Sequence, residues 1–282
     1  MAFTTTISVT ELARHIDEPD WVIVDSRFKL ADPAQGRKDY ESAHIPGAVY
    51  THLDEDLSGP IIKGVLGRHP LPSVESVSEV FSRFGIDTKV QVVAYDDLGG
   101  ALAASRVWWL LRWLGHESVA VLDGGWQVWV KKGLTVRSRN ETRKPRKFVP
   151  HPCNELIVST RELDMIRIDP QYRVLDARSA DRFRGENETI DPVAGHIPGA
   201  ISAPYAGNLN PDGTFRSNEI LAARYKRLIS GVAVENVVCY CGSGVTATHD
   251  ILAMVKAGLG ETRLYAGSYS EWIIDPKRPV EK

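Results

Sequence analysis

Val237-Val238-Cys239-Tyr240-Cys241-Gly242-Ser243-Gly244-Val245-Thr246-Ala247 is the stretch whose reading decides the fold. Val237 to Tyr240 has the apolar, β-branched character of a short buried strand. From Thr246 onward the spacing is helical, with Ile251-Leu252-Ala253-Met254-Val255 inside it and no proline before Pro276. Cys241 therefore falls at a strand-to-helix turn. Glycines at 242 and 244 let the backbone curl so that successive N–H groups point inward, a cradle suited to an anion. With the start of a helix behind it, such a loop favours a thiolate and makes Cys241 a nucleophile near neutral pH. Cys239, inside the strand, reads as a small buried hydrophobe.

Two familiar cysteine chemistries do not fit. A phosphatase loop of the C-x5-R kind needs an arginine six positions after the cysteine to grip phosphate oxygens, and Ala247 stands there. A disulfide oxidoreductase wants C-x-x-C. Here the spacing is C-x-C, and side-chain alternation along the strand turns Cys239 away from the loop.

Working outward, the chain repeats itself. Val22-Ile23-Val24-Asp25-Ser26-Arg27 returns as Arg173-Val174-Leu175-Asp176-Ala177-Arg178, and His44-Ile45-Pro46-Gly47-Ala48 returns identically as His196-Ile197-Pro198-Gly199-Ala200. Val92-Val93-Ala94-Tyr95-Asp96 corresponds to Val237 through Cys241, and Asp123-Gly124-Gly125-Trp126 to Ala266-Gly267-Ser268-Tyr269. Correspondences in the same order, at long spacing, mean one duplicated domain rather than a solenoid. Each copy alternates short apolar strands with helical segments, so the fold class is α/β, a mainly parallel sheet with helices on both faces. The first copy places strands near Val22–Val24, Gln91–Tyr95 and Val119–Leu122 and a helix over Ala101–Leu114, whose Trp108-Trp109 pair reads as core. The domains expected are 1–136 and 153–282. Between them, 137–152 carries six basic residues, one acidic residue and three prolines, and reads as a solvated linker.

Asp96 stands where the second copy has Cys241 and cannot act as a soft sulfur nucleophile, so only the second copy is expected to be catalytic. Its loop is expected to face the cleft between the domains. Asp25, Arg27, Asp176 and Arg178 read as structural ion pairs at strand ends, and Thr246 as a helix cap.

Bulk properties bound the partners. A chain of 282 residues, 43% hydrophobic and 25% charged with net charge -2, offers no basic surface for nucleic acid and no stretch long enough to span a bilayer. Met1 to Ile16 lacks a secretion signal, and three cysteines with no framework spacing place the protein in a reducing cytoplasm. No metal ion or organic cofactor is implied.

Cys241-Gly242-Ser243-Gly244-Val245-Thr246 resembles the active-site loop of the rhodanese superfamily, specifically of the 3-mercaptopyruvate sulfurtransferases, where a small neutral run follows the cysteine. Thiosulfate sulfurtransferases of the same two-domain type tend to carry basic residues there. The resemblance covers nearly the whole chain and implies tandem rhodanese-like domains. It also implies transfer of a sulfane sulfur from 3-mercaptopyruvate through a Cys241 persulfide to a thiol, thioredoxin or cyanide, with release of pyruvate. Thiosulfate as donor, or a persulfide-relay carrier with poor small-molecule turnover, are the alternatives. The backbone of Gly242, Gly244, Val245 and Thr246 would hold the sulfur's negative charge. Arg182 matches the family's carboxylate-binding arginine, Arg184 is a second candidate, and 187–194 contains no arginine where the family commonly has one. His44 matches a histidine proposed in the family to reach the loop serine, giving a relay through Ser243 that protonates the departing enolate.

Overall fold

The computed structural model describes residues 2–282. Among the described residues nine strands form two sheets: β1 (Thr6–Ser8), β2 (Trp21–Asp25), β3 (Val49–Tyr50), β4 (Gln91–Tyr95) and β5 (Val119–Asp123) in the first, and β6 (Arg173–Asp176), β7 (Ala200–Ser202), β8 (Val237–Tyr240) and β9 (Arg263–Leu264) in the second. The orders are β1-β5-β4-β2-β3 and β7-β6-β8-β9, and every pairing is parallel. Parallel strands need crossover helices, which cover both faces and exclude water from the strands. Hence β4 and β8 are buried along their whole length. The expected α/β class is what the chain adopts. The short β1 and the two-residue β3 were too brief to register as periodic runs.

The expected helix at 101–114 is observed over Ala103–Trp113, with Trp108 and Trp109 fully buried as core. The helix after the Cys241 loop runs Ala247–Lys256 and is buried from Ala247 through Met254. Each such apolar side chain taken from water contributes about 1.5–3 kcal/mol, so this helix start, and the loop that feeds it, is firmly anchored.

The compact units are not the continuous pieces the sequence suggests. One comprises Met1–Gly59, Pro72–Cys153 and Asn210–Phe215, and the other Pro60–Leu71, Asn154–Leu209 and Arg216–Lys282. In the second unit, the Arg68 N–H donates to Ser270 Oγ at 3.0 Å, and Gly67 packs so tightly that an added Cβ would lie 2.6 Å from the Gly267 carbonyl oxygen. The 137–152 segment also differs from a solvated linker. It straps the first unit through Arg137 and His44 exchanging backbone hydrogen bonds, Arg146 N–H donating to the Ser82 carbonyl, and a buried Phe148 against Phe81.

Duplication is visible atom by atom. Arg27 Nη2 reaches Asp25 Oδ2 at 2.6 Å and Arg178 Nη2 reaches Asp176 Oδ2 at 2.7 Å, all four side chains buried, as the sequence expectation of structural ion pairs required. Tyr95 and Tyr240 hydroxyls each accept the N–H of the isoleucine in the repeated His-Ile-Pro-Gly turn, at 3.2 Å.

Candidate active site

Cys241 follows the last residue of β8 and is 3% exposed. Its N–H donates to Ser268 Oγ at 3.1 Å and its carbonyl accepts from the Tyr269 N–H at 3.0 Å, so the backbone that presents the thiol is fixed from both sides. Gly244 takes φ +76°, and a Cβ there would lie 2.2 Å from the Ala266 carbonyl oxygen. Only glycine satisfies both the left-handed turn and the close approach.

The first unit shows what this turn does when a carboxylate occupies it. Asp96 is fully buried, and its two oxygens accept from the N–H groups of Leu98, Gly100, Leu102 and Ala104 at 2.8–3.3 Å. Burial nonetheless pushes its pKa up, with the Leu98 and Gly100 amides opposing. In the first unit the loop thus gathers amides onto the side chain that opens it, and Asp96 fills that cradle itself.

Ser243 is buried, and its Oγ lies 2.7 Å from His69 Nδ1. The partner of Ser243 is therefore His69 rather than the expected His44. His44 is fully buried in its own turn, with Nδ1 2.7 Å from the Tyr40 carbonyl oxygen, Nε2 3.5 Å from Glu141, and its ring stacked on Tyr40. His196 repeats that arrangement, with Nδ1 2.8 Å from the Phe183 carbonyl and its ring stacked on Phe183. A histidine performing the same task in both copies serves the turn.

Two guanidinium groups border the loop. A Cβ on Gly242 would stand 3.1 Å from Arg68 Nη2 and 3.7 Å from both terminal nitrogens of Arg182. Arg182, the expected carboxylate-binding residue, thus borders the loop, and so does Arg68, which was not foreseen. Arg182 also donates to Glu188 through Nε and Nη2 at 2.9–3.1 Å. Burial opposes ionisation of Glu188, yet Arg182 and the amides of Asp191 and Ile190 hold its carboxyl below the usual carboxylate range. Arg184 is a different case: it forms a forked pair with Glu186, both about half exposed, so it does not join the loop as expected. The Thr246 hydroxyl makes no capping hydrogen bond, because the residue is already helical at φ -64° and ψ -23°. A capping side chain needs an extended backbone at that position.

His69 and Arg68 lie in 51–73, which contains no helix or strand. A connection that long with no regular structure is itself a signal of function, and Gly67-Arg68-His69-Pro70 within it is the signal that was available.

The fold and loop define a two-domain sulfur-handling α/β protein, and the chain belongs to the rhodanese-like domain family, which matches residues 8–132 and 159–275. It is 46% identical to the "Probable 3-mercaptopyruvate sulfurtransferase" of Pseudomonas aeruginosa, over 97% of this chain and 96% of that one. It is 38% identical to the "Putative thiosulfate sulfurtransferase SseB" of Mycobacterium tuberculosis, over 97% and 95%. Among solved structures it is similar to the 3-mercaptopyruvate sulfurtransferase from Leishmania major, at TM-score 0.83 and 31% identity, over 95% of this chain and 74% of that one.

Proposed function

We propose that the protein is a sulfurtransferase that takes the sulfur of 3-mercaptopyruvate onto Cys241 and passes it to a thiophilic acceptor. The observation that carries this reading is the 2.7 Å pairing of Ser243 and His69 two residues beyond a cysteine held at a glycine turn. The Cys241 thiolate attacks the donor sulfur, forming an S–S bond as the C–S bond breaks, and the bonding electrons leave on pyruvate enolate. Ser243 Oγ–H gives the enolate its proton while protonated His69 returns one to Oγ, so pyruvate departs and a persulfide remains. Amides of the loop residues Gly242, Gly244, Val245 and Thr246 stabilise its charge, as the Asp96 cradle does for a carboxylate. Arg182 holds the donor carboxylate. An acceptor thiolate, that of thioredoxin for instance, or cyanide then attacks the outer sulfur and restores Cys241.

Thiosulfate is the second reading, favoured by a specific observation: Arg68 brings a second cation to Gly242 from outside the neutral loop. No helix among the described residues is long and apolar enough to cross a membrane. Three free cysteines support the cytoplasmic location read from the sequence. Steady-state turnover with each donor, using cyanide as acceptor and Cys241→Ser as the blank, tests the reading. Many turnovers of mercaptopyruvate support it; a preference for thiosulfate installs the second reading. A single loading without turnover makes the protein a persulfide carrier.

A further inference from the structure

Asp191 is buried, its side chain 1% exposed, and its two oxygens serve two different arginines. Oδ1 accepts from Arg68 Nη1 at 2.7 Å and Oδ2 from Arg182 Nη2 at 2.9 Å. These are the guanidinium groups that border Gly242. Arg68 uses Nη1 for the bridge, and its Nη2 is the nitrogen 3.1 Å from where a Gly242 Cβ would stand, so the bridge leaves N–H donors beside the loop. With Glu188 on Arg182, the four side chains carry two positive and two negative formal charges. Arg178 joins the set through Glu188 at 3.4 Å while pairing with Asp176 at 2.7 Å, so the extended set of three arginines and three carboxylates is still neutral.

We propose that Asp191 is a positioning and charge-setting residue: it locks Arg68 and Arg182 into one donor pair of zero net charge beside Cys241, selecting a monoanionic sulfur donor over a dianionic one. The inference rests on the sulfurtransferase reading. A fork of N–H groups holds one carboxylate by geometry. The second charge of a dianion is attracted only by net positive charge, and it loses hydration on entering a partly buried site. Uncharged residues from Cys241 to Ala247 supply no compensating cation, so the bridge decides the field. Removing the Asp191 charge leaves the set at net +1.

The test compares wild type, Asp191→Asn and Arg68→Gln in the full chain. One readout is kcat and KM for mercaptopyruvate and thiosulfate. The other is the alkylation rate of Cys241 by anionic iodoacetate against neutral iodoacetamide, followed by peptide mass mapping. Asp191→Asn should raise the thiosulfate-to-mercaptopyruvate ratio of kcat/KM about tenfold, chiefly through the thiosulfate KM, and raise the iodoacetate-to-iodoacetamide ratio with it. Arg68→Gln should move both ratios the other way. A merely structural Asp191 would lower both donors together and leave both ratios at wild-type values, which overturns the proposal. If Asp191→Asn does not fold, Arg68→Gln decides, its side chain being 25% exposed; unchanged ratios then overturn it. If wild type turns over neither donor, the sulfurtransferase reading fails and the alkylation ratios alone judge the charge set by Asp191.

Discussion

His69 Nδ1 stands 2.7 Å from Ser243 Oγ, although 174 positions of sequence separate the two residues. A hydroxyl so placed can give its proton to a developing enolate when the protonated ring returns one from Nδ1 to Oγ, so that no alkoxide is left behind. His69→Ala should lower kcat for mercaptopyruvate by about 10² or more. Thiosulfate turnover should fall much less, since departing sulfite needs no proton. Parallel steady-state assays check this, and equal losses on both donors would remove the relay.

His44 should behave oppositely. With its ring fully buried and stacked on Tyr40, His44→Ala should cost about 2–4 kcal/mol of stability in urea unfolding. Turnover per folded molecule should stay at the wild-type level. A kcat loss matching that of His69→Ala would return His44 to the chemistry.

Gly244→Ala should combine a left-handed backbone with a clash on the Ala266 carbonyl. Strain of about 1–3 kcal/mol follows from the backbone alone, and the displaced loop should lower kcat/KM for every donor. Turnover at wild-type levels in the folded variant would show that the loop tolerates reshaping.

Asp250 predicts a pH dependence of stability. The residue is fully buried in the Ala247–Lys256 helix, where burial pushes its pKa up to about 7, with Arg224 and a hydrogen bond from Asn208 opposing. In the unfolded chain it titrates near about 3.9. Between those values the folded state keeps a proton the unfolded state has lost. Stability from this group is therefore greatest below pH ~4, falls by ~1.4 kcal/mol per pH unit as pH rises, and levels off above pH ~7. Melting temperatures from pH 5 to 8 should decline more steeply in wild type than in Asp250→Asn. Parallel curves would place the titration elsewhere.

What could be read in the sequence was local or repeated. The Cys241 turn is a strand, two glycines and a helix in one short run, and the duplication compares the chain with itself. Long-range partners carried no such mark. His69 lies in a loop with no regular element, whereas His44 stands in a motif shared by both copies, and the shared motif proved to be a structural turn. Arg182 and Arg184 look equivalent in sequence. Two residues near a helical turn face opposite ways, so Arg182 meets Glu188 and Asp191 while Arg184 meets Glu186 at the surface.

The central claim is that Cys241 carries the sulfur, and one acceptor-free turnover tests it most directly. Mixing the protein with 3-mercaptopyruvate should release one pyruvate per molecule and add one sulfur atom to the peptide containing Cys241, with neither event in Cys241→Ser. Pyruvate release that persists in Cys241→Ser, or sulfur found on Cys153 or Cys239 instead, would contradict the account.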